Sequence, residues 1–431
     1  MPPVARAAAP LAQVIPPLIL GTATFNTQYH PSPDLNLSLP ILARALDLGV
    51  AALDTSPYYG PSERILGAAL RALAPERASL FLITKAGRVG PSSFDYSPAH
   101  VEHSVRRSLA RLSTPYLDLV HCHDVEFVSP SEVLAAIREL RRLRDREGLL
   151  RYVGISGYPL PVLADLAELI LAETGEPIDA VQSYSHFCVQ NDALGASDLL
   201  DRFRRAGVSV VTNASMLSMG LLTTRGVDAG PQASWHPAPR PLRRKCTEIG
   251  AFARDNGEKL EDLSLRWAMG AWASRGASLG TSATMDVRAS RAAAEANNTT
   301  RPRMGVSVMG VTNAAELDET WRAWNDVARV AEIQAKGADV ELDAQDQAIV
   351  DRAEKICRIV ENDMWPALGE WRNHSWDSPQ PGFVNERREL GVLPEDFDEP
   401  VAEAQPATEP SVLPHAIDEQ PALKPALSAV A

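Results

Sequence analysis

Carboxylate, phenol, lysine and histidine side chains recur at the ends of short apolar runs in this chain, and these types suit proton transfer. Ala51-Ala-Leu-Asp54 is an apolar run closed by an acid, and the turn Thr-Ser-Pro-Tyr58-Tyr59-Gly60 follows it. Leu80-Phe-Leu-Ile-Thr84-Lys85 sets a lysine directly after five β-formers. Standing alone, Lys85 reads as an exposed charge at a strand end. Opposite Asp54 it gains a use. An ammonium beside Tyr59 would stabilise the phenolate and lower the tyrosine's pKa, so that the phenol could give or take a proton near neutral pH.

A third run, Leu117-Asp-Leu-Val-His121-Cys-His123, ends in two histidines. Strand alternation puts both on one face with Leu117 and Leu119. An H-x-H at a strand end could be half of a metal site. That would need ligands on later strands, and those end in Ser156, Gln182, Asn213 and Gly310, which are poor ones. No metal is expected; His123 reads as the site histidine and His121 as a polar core residue one layer down.

The later strand ends are rich in amides and hydroxyls: Gly154-Ile-Ser156-Gly157, Val181-Gln182-Ser183-Tyr184 and Thr212-Asn213-Ala-Ser215-Met-Leu217-Ser218. Any one could be a strand-end cap. On successive strands they suit a carboxamide and a ribose-phosphate chain, so a dinucleotide across the mouth is expected. Gly310-Val-Thr312-Asn313 then opens a helix whose N–H groups can hold a phosphate.

What positions these residues is an alternation of strands and helices. Strand patterns fall at 18–22, 51–54, 80–84, 117–121, 152–155, 180–182, 208–212 and 306–309. Amphipathic helical patterns lie between them, at 38–48, 62–73, 98–112, 130–146, 159–172 and 193–205, with two more, 241–256 and 259–272, before the last strand and one, 314–331, after it. Eight strand–helix repeats predict an α/β fold, the (β/α)8 TIM barrel. The alternative, a doubly wound open sheet, wants a glycine-rich turn after an early strand, and Gly21-Thr-Ala-Thr-Phe25 is not one. The barrel is expected over 17–378, after a flexible lead at 1–16. An Ala/Ser/Thr/Asn-rich stretch at 276–303 reads as a long mobile insertion before strand eight. A further helix is expected at 343–361 with Asp343 as its N-cap, followed by a Trp-rich segment that packs back. The Pro- and acid-rich tail, 379–431, reads as disordered.

Composition excludes several classes. Net charge is −13, much of it in the tail, which argues against nucleic-acid or anionic-membrane partners. The four cysteines, Cys122, Cys188, Cys246 and Cys357, form no close pair and fit a reducing compartment. With no signal-peptide pattern and no membrane-length apolar run, the expected location is the cytosol.

From about Leu18 to Arg329 the sequence resembles the aldo-keto reductase superfamily. The motifs are D-T-S-P-Y-Y-G-x-S-E-x-x-L-G, I-T-K, Y-L-D-L-V-x-x-H, G-I-S-G, V-Q-S-Y and G-V-T-N. The resemblance implies a catalytic tetrad of Asp54, Tyr59, Lys85 and His123, with Tyr59 as general acid/base. It implies a nicotinamide cofactor touching Gly21, Thr22, Ser156, Gln182, Ser215, Leu217 and Ser218, with Gly310, Thr312 and Asn313 at its adenosine phosphate end. D-T-S-P-Y-Y-G and C-H-D-V-E-F look most like the aldose 1-dehydrogenase branch. That branch implies oxidation of a D-arabinose-like sugar at C1 to the lactone, on a route to erythroascorbate or ascorbate.

Two departures stand out. Gly157 replaces a common Asn after Ser156, which puts one carboxamide contact in doubt. Glu316 aligns where NADP-dependent members place an Arg, and its charge favours NAD over NADP. Tyr58 and Phe127 are expected at the sugar. Sugar choice is assigned to loops around 25–29, 92–96, Phe127 and 221–235. The alternatives are an NADPH-dependent aldehyde or ketone reductase and a non-catalytic, cofactor-binding regulatory subunit. The sequence is silent on the particular aldose and on oligomeric state.

Overall fold

The computed structural model describes residues 9–298, 301–337 and 341–386. Short strands that are apolar on both faces are buried only by pairing side by side under a layer of helices. Here they close into a parallel barrel of β1 (Leu18–Gly21), β2 (Ala52–Asp54), β3 (Phe81–Ala86), β4 (Leu117–His123), β5 (Leu150–Gly157), β6 (Ala180–Tyr184), β7 (Val210–Ala214) and β8 (Val306–Gly310). Each strand pairs with its successor and β1 closes on β8, so the (β/α)8 architecture stands. Ile19, Ala52, Phe81, Ile83, Leu119, Val210 and Val308 fill the interior. Leu20, Leu53, Leu82, Val120, Val153 and Val181 face the helices. Leu117, expected inside, packs with that outer core.

β3, β4 and β5 run past their expected ends, to Ala86, His123 and Gly157. Lys85, His123 and Ser156 are therefore ladder residues, and hydrogen-bonded backbone fixes where their side chains point.

The helices begin where the sequence offers caps. Asp34 caps α1 (Leu35–Asp47) through Leu37 N, and Ser97 precedes Pro98 at the start of α3 (Pro98–Arg111). Ser129 and Glu132 form a reciprocal capping box on α4 (Pro130–Arg142). α2 (Ser62–Leu73) buries Ile65, Leu66, Ala69 and Leu70, at roughly 1.5–3 kcal/mol for each large side chain. A side chain at Gly67 would start 1.8 Å from the Arg111 carbonyl, so α2 and α3 meet backbone to backbone there. The ring continues with α5 (Leu160–Thr174), α6 (Ser197–Arg205), α7 (Arg240–Asp255) and α8 (Leu260–Arg275).

Three segments depart from expectation. Residues 9–16 are no flexible lead. Leu11, Val14 and Ile15 are buried at the barrel's base, and Tyr152 donates its hydroxyl proton to Ala9 O at 2.8 Å. Residues 276–298 of the insertion are not a mobile stretch either, because they carry α9 (Val287–Glu295), held by charge rather than by bulk. Asp118, fully buried under the barrel, accepts Arg77 Nη2 and Arg291 Nη2 at 2.7 Å each and the Leu82 amide at 2.9 Å. Thr281 ties the same segment to Ala12 O and Ile15 O.

After α10 (Ala314–Lys336) comes α11 (Ala344–Arg358), capped by Asp343 as expected. The chain then crosses to the mouth. Trp365 donates to Val189 O, and Gln190 donates to Trp371 O and His374 O. Asn385 bonds both backbone groups of Phe94, so the ordered part runs past 379. Backbone pairing and the Phe383 ring supply what its composition lacked. The expectation of disorder for 387–431 lies outside the described residues.

Asp118→Asn should lower unfolding free energy by about 3 kcal/mol, because it leaves two half-buried guanidinium groups facing a fully buried amide. Urea unfolding would read the loss. An unchanged midpoint would mean that apolar contacts alone hold the insertion.

Candidate active site

β2 and β3 are neighbours in the barrel, and their ends bring Asp54 and Lys85 together. Lys85 Nζ lies 2.6 Å from Asp54 Oδ1 and donates to Thr55 O at 3.0 Å. Both side chains are buried. The same ammonium sits 4.8 Å from the centroid of the Tyr59 ring. Burial penalises the Lys85 charge, yet Asp54 and Tyr59 outweigh it and its pKa is raised. The same burial raises the Asp54 carboxyl against the pull of Lys85 and of the Gln182 amide. Tyr59 is half-buried. Burial of its phenol outweighs Lys85, and its pKa is raised rather than lowered. The expected downward tuning by Lys85 is present as one contribution, and desolvation is the larger.

His123, at the end of β4, meets the Tyr59 ring edge-on at 5.7 Å and the Tyr58 ring at 5.8 Å. Its Nδ1 lies 3.0 Å from Ser56 Oγ, and its backbone carbonyl accepts the Tyr96 hydroxyl at 2.6 Å. Burial first, then the nearby cations, bring its pKa down to about 3, so the ring is neutral. His121 is fully buried deeper in the barrel, opposite Lys85 in the ladder. Gly154 makes room for it, since a side chain there would start 2.5 Å from its Nδ1. Among the described residues no three His, Cys, Asp or Glu side chains converge as metal ligands would.

Motif reasoning missed Arg88, and it named Phe127 without its partners. Arg88, on a short hairpin after β3, forms an ion pair with Asp124 and lies 3.8 Å over the Tyr58 ring. Phe127 stacks on Phe94 at 4.6 Å and meets Phe383 edge-on at 4.8 Å. Trp376 stacks on Tyr158 at 4.6 Å. Loops expected to shape the site pair across the mouth. Tyr29 meets Trp235 at 5.4 Å, and Trp235 donates to Gln28 O at 2.9 Å.

The Gly157 departure has a steric cause. A side chain there would start 2.5 Å from Glu126 Oε2. Glu126 Oε1 accepts the Tyr158 amide at 3.1 Å and the Ser378 hydroxyl at 2.8 Å, tying the mouth to the C-terminal strap. Burial, with Asp124 adding to it, pushes that carboxyl up to about 8. The only hint in the sequence was the D-V-E spacing after His123.

The residues assigned to a dinucleotide fall along one arc of the mouth. Ser156 pairs with Gln182 in the β5–β6 ladder, and both side chains are buried. In the loop after β7, Ser215, Ser218 and Met219 all have positive φ, at 54°, 47° and 55°. Turns of this kind can present backbone amides to an anion, although here the Ser218 amide is spent on Ser215 O at 2.7 Å. The Ser218 hydroxyl there is buried without a partner, and the His236 ring braces Ser218 O from behind. This donor set fits a nicotinamide nucleotide. Gly21 packs where a side chain would start 3.1 Å from Val308 Cγ1, and Thr22 is spent as a strut, donating to Asp54 O and accepting from Ser62. At the α10 end Asn313 caps the helix, and Glu316 folds back to accept from Thr312 N at 2.7 Å and from Asn313 Nδ2 at 3.0 Å. A carboxylate already occupies the place an anion would take. Leu217 lies within the β7 loop and packs against the outer core.

Comparison with known proteins agrees with this geometry. Residues 17–336 match the Aldo/keto reductase family. D-arabinose 1-dehydrogenase of Saccharomyces cerevisiae is 39% identical over 267 residues, covering 61% of this chain and 77% of that protein. L-galactose dehydrogenase of Arabidopsis thaliana is 35% identical over 326 residues, covering 75% and 85%. L-glyceraldehyde 3-phosphate reductase of Escherichia coli K12 is 29% identical over 251 residues, covering 53% and 70%. With a closed eight-stranded barrel and a family match over most of it, the chain belongs to the aldo/keto reductase family of nicotinamide-dependent oxidoreductases.

Proposed function

We propose that this protein oxidises an aldose of the D-arabinose type at C1 to the aldonolactone, using NAD in preference to NADP. The observation that carries the reading is the Lys85 ammonium between Asp54, at 2.6 Å, and the Tyr59 ring, at 4.8 Å, with His123 against the same ring. The names of the yeast and Arabidopsis relatives support sugar oxidation.

A bound nicotinamide supplies the hydride acceptor for C1. The chain's own groups handle the proton. Tyr59, as the phenolate that Lys85 stabilises, takes it from the C1 hydroxyl and becomes the neutral phenol, and Asp54 holds Lys85 charged and in place. His123 orients the sugar oxygen. Ser156 and Gln182 would hold the carboxamide, and the β7 loop a phosphate. Tyr58, half-exposed beneath Arg88, borders the sugar; Phe127, spent in its aromatic stack, shapes that wall from behind. The cysteine set fits the cytosol as the place of reaction.

The upward shift of Tyr59 favours one second reading, NADPH-dependent reduction of an aldehyde or ketone, in which the protonated phenol donates. Initial rates with NAD⁺ and NADP⁺ on a panel of aldoses, and with NADPH on simple aldehydes, separate the two. NADH formation with D-arabinose or a similar sugar supports oxidation; NADPH consumption alone reverses the assignment.

Tyr59→Phe should lower kcat by at least about a hundredfold while cofactor binding, read by fluorescence quenching, stays near wild type. Loss of both would instead indicate misfolding.

The raised phenol pKa also fixes the sign of the pH dependence. The base form grows about tenfold per pH unit below the pKa, so kcat/KM for oxidation should climb through the alkaline range without a plateau below about pH 10. A profile flat above pH 8 would remove Tyr59 as the base.

Glu316→Gln neutralises the charge at the α10 N-terminus and should raise the NADP⁺ to NAD⁺ ratio of kcat/KM by about tenfold. An unchanged ratio would take cofactor choice away from Glu316.

A further inference from the structure

His123 is held from both sides of its ring. Nδ1 lies 3.0 Å from Ser56 Oγ, and Nε2 lies 3.7 Å from Asp124 Oδ2. Ser56 Oγ already accepts the Tyr58 amide at 3.1 Å. Among the described residues its single proton has no hydrogen-bond acceptor other than His123 Nδ1, so a protonated Nδ1 would leave that buried hydroxyl proton without one. A neutral imidazole carries one N–H, so accepting at Nδ1 puts the proton on Nε2.

Asp124 works in the same direction. A carboxylate beside Nε2 favours N–H there over a bare lone pair. At 3.7 Å the contact is too long to be a hydrogen bond, so the N–H stays free for another acceptor. The carboxylate is placed by two features. Asp124 has φ 56° and ψ 63°, a left-handed conformation that Asp and Asn tolerate best, and it turns the side chain back along the mouth. Arg88 Nη1 then binds Oδ2. Arg88 is itself fixed by the carbonyls of Gly90 and Pro91 at 3.4 and 3.3 Å and by the Tyr58 ring at 3.8 Å.

We propose that Asp124, anchored by Arg88, is a positioning residue that holds His123 in the tautomer with its proton on Nε2, so that the imidazole donates to the substrate oxygen. The proposal rests on the reading above, in which His123 faces that oxygen. It adds two groups outside the tetrad and gives Ser56 a part as the donor to Nδ1.

The test begins on the wild-type protein. Long-range proton–nitrogen spectra of the histidine-labelled protein, with His123 assigned through His123→Gln, report which ring nitrogen is protonated. The expected pattern is a protonated Nε2 and a bare Nδ1; a protonated Nδ1 overturns the proposal. Asp124→Asn keeps the left-handed backbone and removes the charge. It should shift His123 toward a mixture of tautomers and lower kcat by about tenfold or more, with the KM for cofactor unchanged, as when a histidine loses the acid that fixes its tautomer. An unchanged tautomer with an unchanged kcat overturns it. The kinetics use whichever direction the wild type catalyses, so failure of aldose oxidation leaves the test standing. If the wild type turns over in neither direction, the functional reading fails and the spectra still decide the tautomer.

Discussion

The site is organised by the ion pair between Asp54 and Lys85. Two charges withdrawn from water cost several kcal/mol each, and that loss is recovered only when the partners meet at hydrogen-bond distance. Here they meet at 2.6 Å, with Thr55 O accepting a second ammonium proton. The register of β2 against β3 imposes the distance, and closure of the whole barrel imposes the register. Tyr59 follows as a dependent. It stands on the turn after β2, where an ammonium is already fixed and a phenolate would be stabilised.

The two ends of the barrel use charge for different ends. At the base, Asp118 gathers Arg77 and Arg291 and joins the insertion to the underside. At the mouth, Asp124 gathers Arg88, and the pair stands among aromatic rings beside a neutral histidine. The same kind of bond fastens structure in one place and sets an electrostatic field in the other. The difference lies in what else is within reach. Beneath the barrel the neighbours are backbone carbonyls, Arg151 and the Tyr116 ring, whereas above it they are the neutral His123 and the rings of Tyr58 and Tyr59.

The C-terminal strap shows how a local departure from a family pattern becomes intelligible in three dimensions. Gly157 leaves space for the Glu126 carboxyl, and Glu126 in turn bonds Ser378. Phe383 completes the stack of Phe94 and Phe127, and Asn385 clamps the hairpin that carries Arg88. Thus one missing side chain at the end of β5, one acid after β4 and a segment more than two hundred residues away form a single wall. Tyr158 and Trp376 close it from the other side.

Much of the plan was legible in the chain itself. Period-two and helical patterns, Ser, Asp and Pro at helix starts, and an acid, lysine and histidine at strand ends depend on near neighbours. They determined the barrel, α2 from Ser62 to Leu73, the Asp343 cap, and the meeting of Asp54 and Lys85. Arg88 was not legible, because a lone arginine on a two-stranded hairpin has no spacing to mark it. The packing of 9–16, 276–298 and 379–386 was not legible either. The last two are poor in large apolar side chains, and all three depend on distant partners, with Arg291 on Asp118, Thr281 on Ala12 and Ile15, and Asn385 on Phe94. The sign of the Tyr59 shift also belonged to the tertiary structure. Sequence placed a cation beside the phenol, but how much water the surrounding loops exclude is a property of the closed barrel alone, and here that exclusion is the larger force.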